Sequence, residues 1–136
     1  MNKYRIYVVD DDADDLEILQ EVFEKSGCAK EIELLASMED LFAKLNNASV
    51  LPDLVVLDNQ SPGTLGSEAL ETLRADEKYK NVTLAVYSTH ITPSKEQELL
   101  QKGADACFSK GSTVDEIAEH VKRFCEATER RKKNSR

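Results

Sequence analysis

Short apolar runs and amphipathic segments alternate five times along this 136-residue chain, and that alternation restricts the fold more than any other feature. The runs at 5–9, 31–35, 54–57, 84–87 and 106–109 have strand length and read as strands. Between the first two, Leu16, Leu19, Val22 and Phe23 recur at helical spacing until Gly27 supplies a stop. Ser37 caps a second helix carrying Leu41, Phe42 and Leu45, with Asp40 in a weak capping-box position. Pro62, Gly63 and Gly66 punctuate the loop before a third helix bearing Ala69, Leu70 and Leu73. Thr92-Pro93 is an N-cap with proline at the first helical position, and Leu99 and Leu100 are expected to face inward before Gly103 ends that helix. Thr113 with Glu116 makes a capping box for a last helix bearing Ile117, Val121 and Phe124. Strands separated by helices of this length imply right-handed crossovers and a parallel sheet covered on both faces. The expected fold is therefore a doubly wound α/β domain, a five-stranded α/β/α sandwich.

Composition narrows the function. The length fits one domain, with no room expected for a second catalytic or DNA-binding one. A formal charge of −8 disfavours nucleic-acid binding and suits cationic ligands or partners. No apolar run approaches the roughly 18 residues of a membrane span, so no membrane contact is expected. Met1-Asn2-Lys3-Tyr4-Arg5 runs directly into a strand, which leaves no space for a signal peptide. Cys28, Cys107 and Cys125 are widely spaced, with no C-x-x-C pair, and read as free thiols in a reducing compartment rather than as metal ligands or a disulfide. The basic run Arg130-Arg131-Lys132-Lys133, with Arg136, is expected to complement a helix dipole and fray into solvent.

The chemistry sits at strand ends, which converge on one crevice in an open α/β sheet. Asp10-Asp11-Asp12 follows the first strand, Asp58 the third and Lys110 the fifth, while Ser88 ends the fourth. Gathered carboxylates repel one another unless a cation sits among them. Asp12, Asp14 and Asp15 read as a cap and first-turn acids of the following helix; Asp10 and Asp11 precede it and are placed to point over the sheet edge. A calcium loop on Asp10, Asp12, Asp14 and Glu21 would need glycine where Asp15 stands. A flavin phosphate would want a neutral or cationic first loop instead of three aspartates. An aspartate-based phosphatase would usually carry a second acid where Gln60 stands. The residues instead suit a carboxylate nucleophile that takes a phosphoryl group beside a divalent cation, with Lys110 adding positive charge and Ser88 a hydroxyl.

As a set these residues resemble the receiver domain of two-component response regulators, over about residues 3–124. The matching segments are Val8-Val9-Asp10-Asp11-Asp12, Leu54-Val55-Val56-Leu57-Asp58, Pro62-Gly63-Thr64-Leu65-Gly66, Val86-Tyr87-Ser88-Thr89, and Gly103-Ala104-Asp105 leading to Ser109-Lys110. The resemblance implies a flavodoxin-like sheet of strand order 2-1-3-4-5, in a receiver unit of residues 1–128 followed by a basic tail, 129–136. It implies a cytoplasmic, single-domain phosphoacceptor that is not an enzyme beyond self-catalysed phosphotransfer and autodephosphorylation. Asp58 would be phosphorylated by a sensor histidine kinase or a histidine phosphotransfer protein, and the signal would pass to a downstream protein. Asp10, Asp11, Asp58 and the Gln60 backbone carbonyl would hold Mg2+ or Mn2+. Ser88 falls at the switch hydroxyl, Lys110 at the phosphate-binding lysine, and Gln60, Thr89 and His90 where the family tunes phosphate lifetime. Homodimerisation through the fourth or fifth helix is left open, because no exposed apolar stripe decides it.

Three positions depart from the family pattern, and one of them is Thr89, larger than the alanine or glycine typical there. Gly111 stands where proline usually follows the lysine and is expected to loosen that loop. Cys107 replaces the switch aromatic, and Phe108 beside it points to the opposite face. Gly111 and Cys107 motivate an alternative, a pseudo-receiver that docks proteins without phosphorylation.

Overall fold

The computed structural model describes residues 2–60 and 65–134. Pro62, Gly63 and Thr64, read above as part of a matching loop, and Arg136, read above with the basic run, lie outside them. Strands β1 (Tyr4–Val9), β2 (Ala29–Leu35), β3 (Leu54–Leu57), β4 (Thr83–Ser88) and β5 (Ala106–Ser109) form one parallel sheet in the order β2-β1-β3-β4-β5. The helices are α1 (Ala13–Ser26), α2 (Met38–Asn47), α3 (Gly66–Arg74), α4 (Pro93–Gln101) and α5 (Val114–Asn134), with a 3-10 turn at Glu77–Tyr79. The fold class and strand order are as expected.

Strand alternation sorts the core into two layers. Tyr7, Val9, Val55, Leu57, Leu84, Val86 and Cys107 face α2, α3 and α4, where they meet Leu41, Leu70 and Leu99. Ile6, Val8, Leu54, Val56, Ala85 and Tyr87 face α1 and α5, where they meet Leu19, Phe23, Val121 and Phe124. Phe108 packs on this second layer, opposite Cys107, as alternation requires. The caps follow the sequence too. Asp12 accepts from the backbone N–H of Asp14 and Asp15, Ser37 from Asp40, Thr92 from Lys95 and Thr113 from Glu116. Gly27 ends α1 in the left-handed region at φ 82°, which glycine adopts without steric cost.

Three expectations are corrected. Leu99 is buried but Leu100 is 44% exposed, because neighbours on a helix lie about 100° apart and α4 offers the sheet one narrow face. Cys28 and Cys125 form a disulfide, with Cα atoms 6.4 Å apart. Cys28 directly follows the glycine that ends α1, and α1 packs beside α5, so residues 97 apart in sequence meet. Spacing alone carries no trace of that pairing. Cys107 remains a buried free thiol, its pKa pushed up to about 12 by burial.

The basic run does not fray. Helix α5 continues through Asn134; Arg131 grips Asp105 and donates to the Lys80 carbonyl, while Lys132 pairs with Asp53. Asp105 also accepts from Arg74 Nη2 at 2.8 Å and from the Leu84 N–H at 3.0 Å. Arg74 in turn donates to the carbonyls of Gly103, Tyr79 and Val82. This network ties α3, α5 and the start of β4 together at the end of the sheet away from the acidic crevice.

Candidate functional site

Parallel strands ending in register bring the expected residues to one rim. Val9 pairs with Leu57, Leu57 with Val86, and Ser88 with Ser109, so Asp10, Asp58, Ser88 and Lys110 all emerge at the same edge. Ligand oxygens of Asp10, Asp11 and Asp58 lie within 4.8 Å of one another, a set that can hold a metal ion. Asp10 and Asp58 are 2% and 5% exposed, whereas Asp11 is exposed. The Asp58 side chain accepts from the Gln60 N–H at 3.0 Å and the Ser88 hydroxyl at 3.0 Å, both on Oδ1. Its Oδ2 faces Lys110 Nζ at 3.8 Å. Asp10 Oδ1 accepts from the Asp12 N–H and Oδ2 from Lys110 Nζ, at 2.9 and 2.7 Å.

Electrostatics at this rim are unbalanced. Burial pushes the Asp10 carboxyl above its ordinary value, against the opposing pull of Lys110 and of the Asp12 N–H. The Lys110 ammonium is held above its ordinary value by its carboxylate partners, although burial opposes them. One ammonium thus serves several carboxylates, and the oxygen-only donor set suits a hard divalent cation such as Mg2+ or Mn2+.

Asp15 was missed by sequence reasoning, which gave it to the helix dipole. Its Oδ2 holds Lys110 Nζ at 2.7 Å, from the first turn of α1. Asn59, beside Asp58, was also missed: its Oδ1 accepts the Ser67 N–H at 3.1 Å in the first turn of α3. A Cβ on Gly66 would come within 2.9 Å of Asn59 Cα, so glycine permits this close approach. Gln60, Thr89 and His90 are exposed around the rim. The loop after Lys110 is not loosened by Gly111, whose N–H donates to Tyr87 Oη at 2.9 Å. A Cβ there would sit 2.8 Å from Glu116 Cβ, so glycine lets the loop lie close against α5.

Residues 6–122 match the family model described as the response regulator receiver domain. The sensor protein GacS of Pseudomonas syringae pv. syringae is 28% identical over 121 residues, covering 86% of this chain and 13% of GacS. The chain thus spans a small part of that relative's length. The polar-differentiation response regulator DivK of Brucella ovis is 24% identical over 119 residues, covering 88% of this chain and 94% of DivK. Among solved structures, the Mn2+-bound form of response regulator Rcp1 shares the fold, with a TM-score of 0.77 at 21% identity over 88% of this chain and 90% of that one.

Proposed function

As this chain belongs to the response regulator receiver family, we propose that it is a single-domain response regulator whose Asp58 accepts a phosphoryl group from a histidine kinase or histidine phosphotransfer protein in a Mg2+-dependent reaction. One arrangement carries the reading: an acidic triad within 4.8 Å, with the Ser88 hydroxyl and the Lys110 ammonium both turned to Asp58. Asp58 Oδ1 is engaged by the Gln60 N–H and the Ser88 O–H, which leaves Oδ2 for attack on phosphorus. The new O–P bond forms as the P–N bond of the phosphohistidine breaks, and the imidazole leaves with the bonding pair. Lys110, already at 3.8 Å from Asp58, counters the charge on the transferred oxygens. Ser88 is placed to donate to one of them.

Asp10, Asp11, Asp58 and the Gln60 carbonyl are the groups that would hold the ion, and the Mn2+-bound form of Rcp1 supports a hard divalent cation bound by oxygen ligands. When bound, it supplies neutralisation of charge between the acceptor and the donor phosphoryl group. Gln60, Thr89 and His90, exposed at the rim, set water access to the acyl phosphate. Output is through contacts with a downstream protein, and the likeness to receiver segments of sensor kinases such as GacS supports a kinase as donor. A cytoplasmic setting fits such a donor, which is charged from a nucleoside triphosphate, although the Cys28–Cys125 bridge is of a kind more common in oxidising compartments. The described residues contain no helix long and apolar enough to cross a membrane.

The test is phosphorylation by a small-molecule donor, acetyl phosphate, followed by intact mass. The expected result is gain of one phosphoryl group by the wild type with Mg2+ and none by Asp58→Asn or in chelator. An unlabelled wild type would favour the phosphorylation-independent docking module.

A further inference from the structure

The residue that carries the ammonium is tied to β4 on both sides of its α-carbon. The Lys110 N–H donates to the Ser88 carbonyl at 2.7 Å, and the next N–H, from Gly111, donates to the Tyr87 hydroxyl at 2.9 Å. Consecutive residues of one strand therefore hold consecutive peptide groups flanking the lysine. Proline at position 111 would have no N–H to give. The Tyr87 hydroxyl lies 2.8 Å from His120 Nδ1, on α5. Because the Gly111 N–H can only donate, the phenol keeps one lone pair for it and turns its own proton to Nδ1. That assignment needs a neutral phenol and a neutral imidazole, and burial pushes the Tyr87 phenol up and the His120 imidazole down. His120 is itself fixed by stacking on Phe108 of β5, with centroids 4.7 Å apart and planes at 14°. Tyr87 meets His120 and Phe124 edge-on.

We infer, on the phosphoacceptor reading above, that Tyr87 and His120 are positioning residues for Lys110: the chain Gly111 N–H to Tyr87 Oη to His120 Nδ1 fixes the backbone from which the ammonium reaches the acidic triad. In this chain a hydrogen-bonded clamp occupies the place where a rigid pyrrolidine ring would otherwise stiffen the loop. Tyr87 touches none of the reacting atoms and acts through the peptide between Lys110 and Gly111.

The experiment follows labelling by acetyl phosphate with Mg2+ in four single variants and two doubles. Tyr87→Phe keeps the ring against Phe124 and removes only the hydroxyl; His120→Leu removes the acceptor, and His120→Asn restores one near the Nδ1 position. Loss of one hydrogen bond that matters in the transition state corresponds to labelling slower by about tenfold. That slowing is expected for Tyr87→Phe and His120→Leu, with His120→Asn within about twofold of wild type. In a Lys110→Ala background, neither Tyr87→Phe nor His120→Leu should slow the residual labelling further. Hydrogen exchange at the Gly111 amide should speed up in Tyr87→Phe. Wild-type labelling by Tyr87→Phe, or equal slowing with and without Lys110, overturns the positioning role. A wild type that takes no label instead removes the phosphoacceptor reading itself, so the two failures are separable.

Discussion

Replacing Asp58 by asparagine removes one charge and keeps the shape, and its effect on stability can be worked from the rim geometry. The Asp58 ligand oxygen lies within 4.8 Å of that of Asp10, so the two carboxylates repel by at least about 3.5 kcal/mol at an effective dielectric near 20. Lys110 Nζ, at 3.8 Å, returns about 4.4 kcal/mol on the same footing. These nearly cancel. What remains is repulsion from the exposed Asp11, screened to about 1 kcal/mol, and the several kcal/mol that an ion loses on leaving water, set against a small cost of facing an amide to the ammonium. Asparagine Oδ1 still accepts from the Gln60 N–H and the Ser88 hydroxyl. In chelator, Asp58→Asn is therefore expected to be more stable than wild type by about 1–2 kcal/mol, read as a higher urea midpoint at unchanged slope. Magnesium at a hundredfold excess over its dissociation constant adds about 2.7 kcal/mol to wild type, and much less to a variant lacking one carboxylate. The order of the two midpoints should reverse. A variant less stable than wild type in chelator, or one gaining the same increment from magnesium, would refute this account of the rim.

Two further outcomes follow from the second core layer. The unfolded, unreduced chain should show one thiol to Ellman's reagent and three after reduction, and reduction should lower the urea-unfolding free energy by about 2–4 kcal/mol, since the bridge closes a long loop. For His120, burial holds the folded pKa below 6.5, with Glu116 and Glu119 pulling the other way; the stability this group contributes is full above 6.5 and lost as pH falls through its folded value. The urea-midpoint margin of wild type over His120→Asn should shrink on acidification, and a margin that grew would contradict it.

Much of the rim was legible because strand order and strand ends carry it: once the third strand stops at Leu57 and the fifth at Ser109, Asp58 and Lys110 have one edge to emerge from. Caps were legible for the same local reason. Asp15 was not, because an acid in a first turn has two uses, and only the fold, which brings the first turn of α1 within reach of the Lys110 side chain, selects the contact. The Cys28–Cys125 bridge and the Tyr87–His120 contact join elements far apart in sequence on one face of the sheet, and no local pattern encodes which side chains meet there. Leu100 failed for a simpler reason, since two adjacent leucines on a narrow helix compete for one inward slot. Arg131 and Lys132 read as a solvated end because their partners, Asp105 and Asp53, precede strands elsewhere in the chain.

Strand β5 is four residues long, yet its borders are under opposite demands. Asp105, just before it, is saturated by two guanidinium groups and a backbone amide, with nothing left to offer a visitor. Lys110, just after it, is shared among acids that outnumber it. Tolerance to substitution should accordingly flip across a span of some five residues, with lesions at the saturated border melting the domain and lesions at the oversubscribed border leaving a well-folded protein that has gone silent.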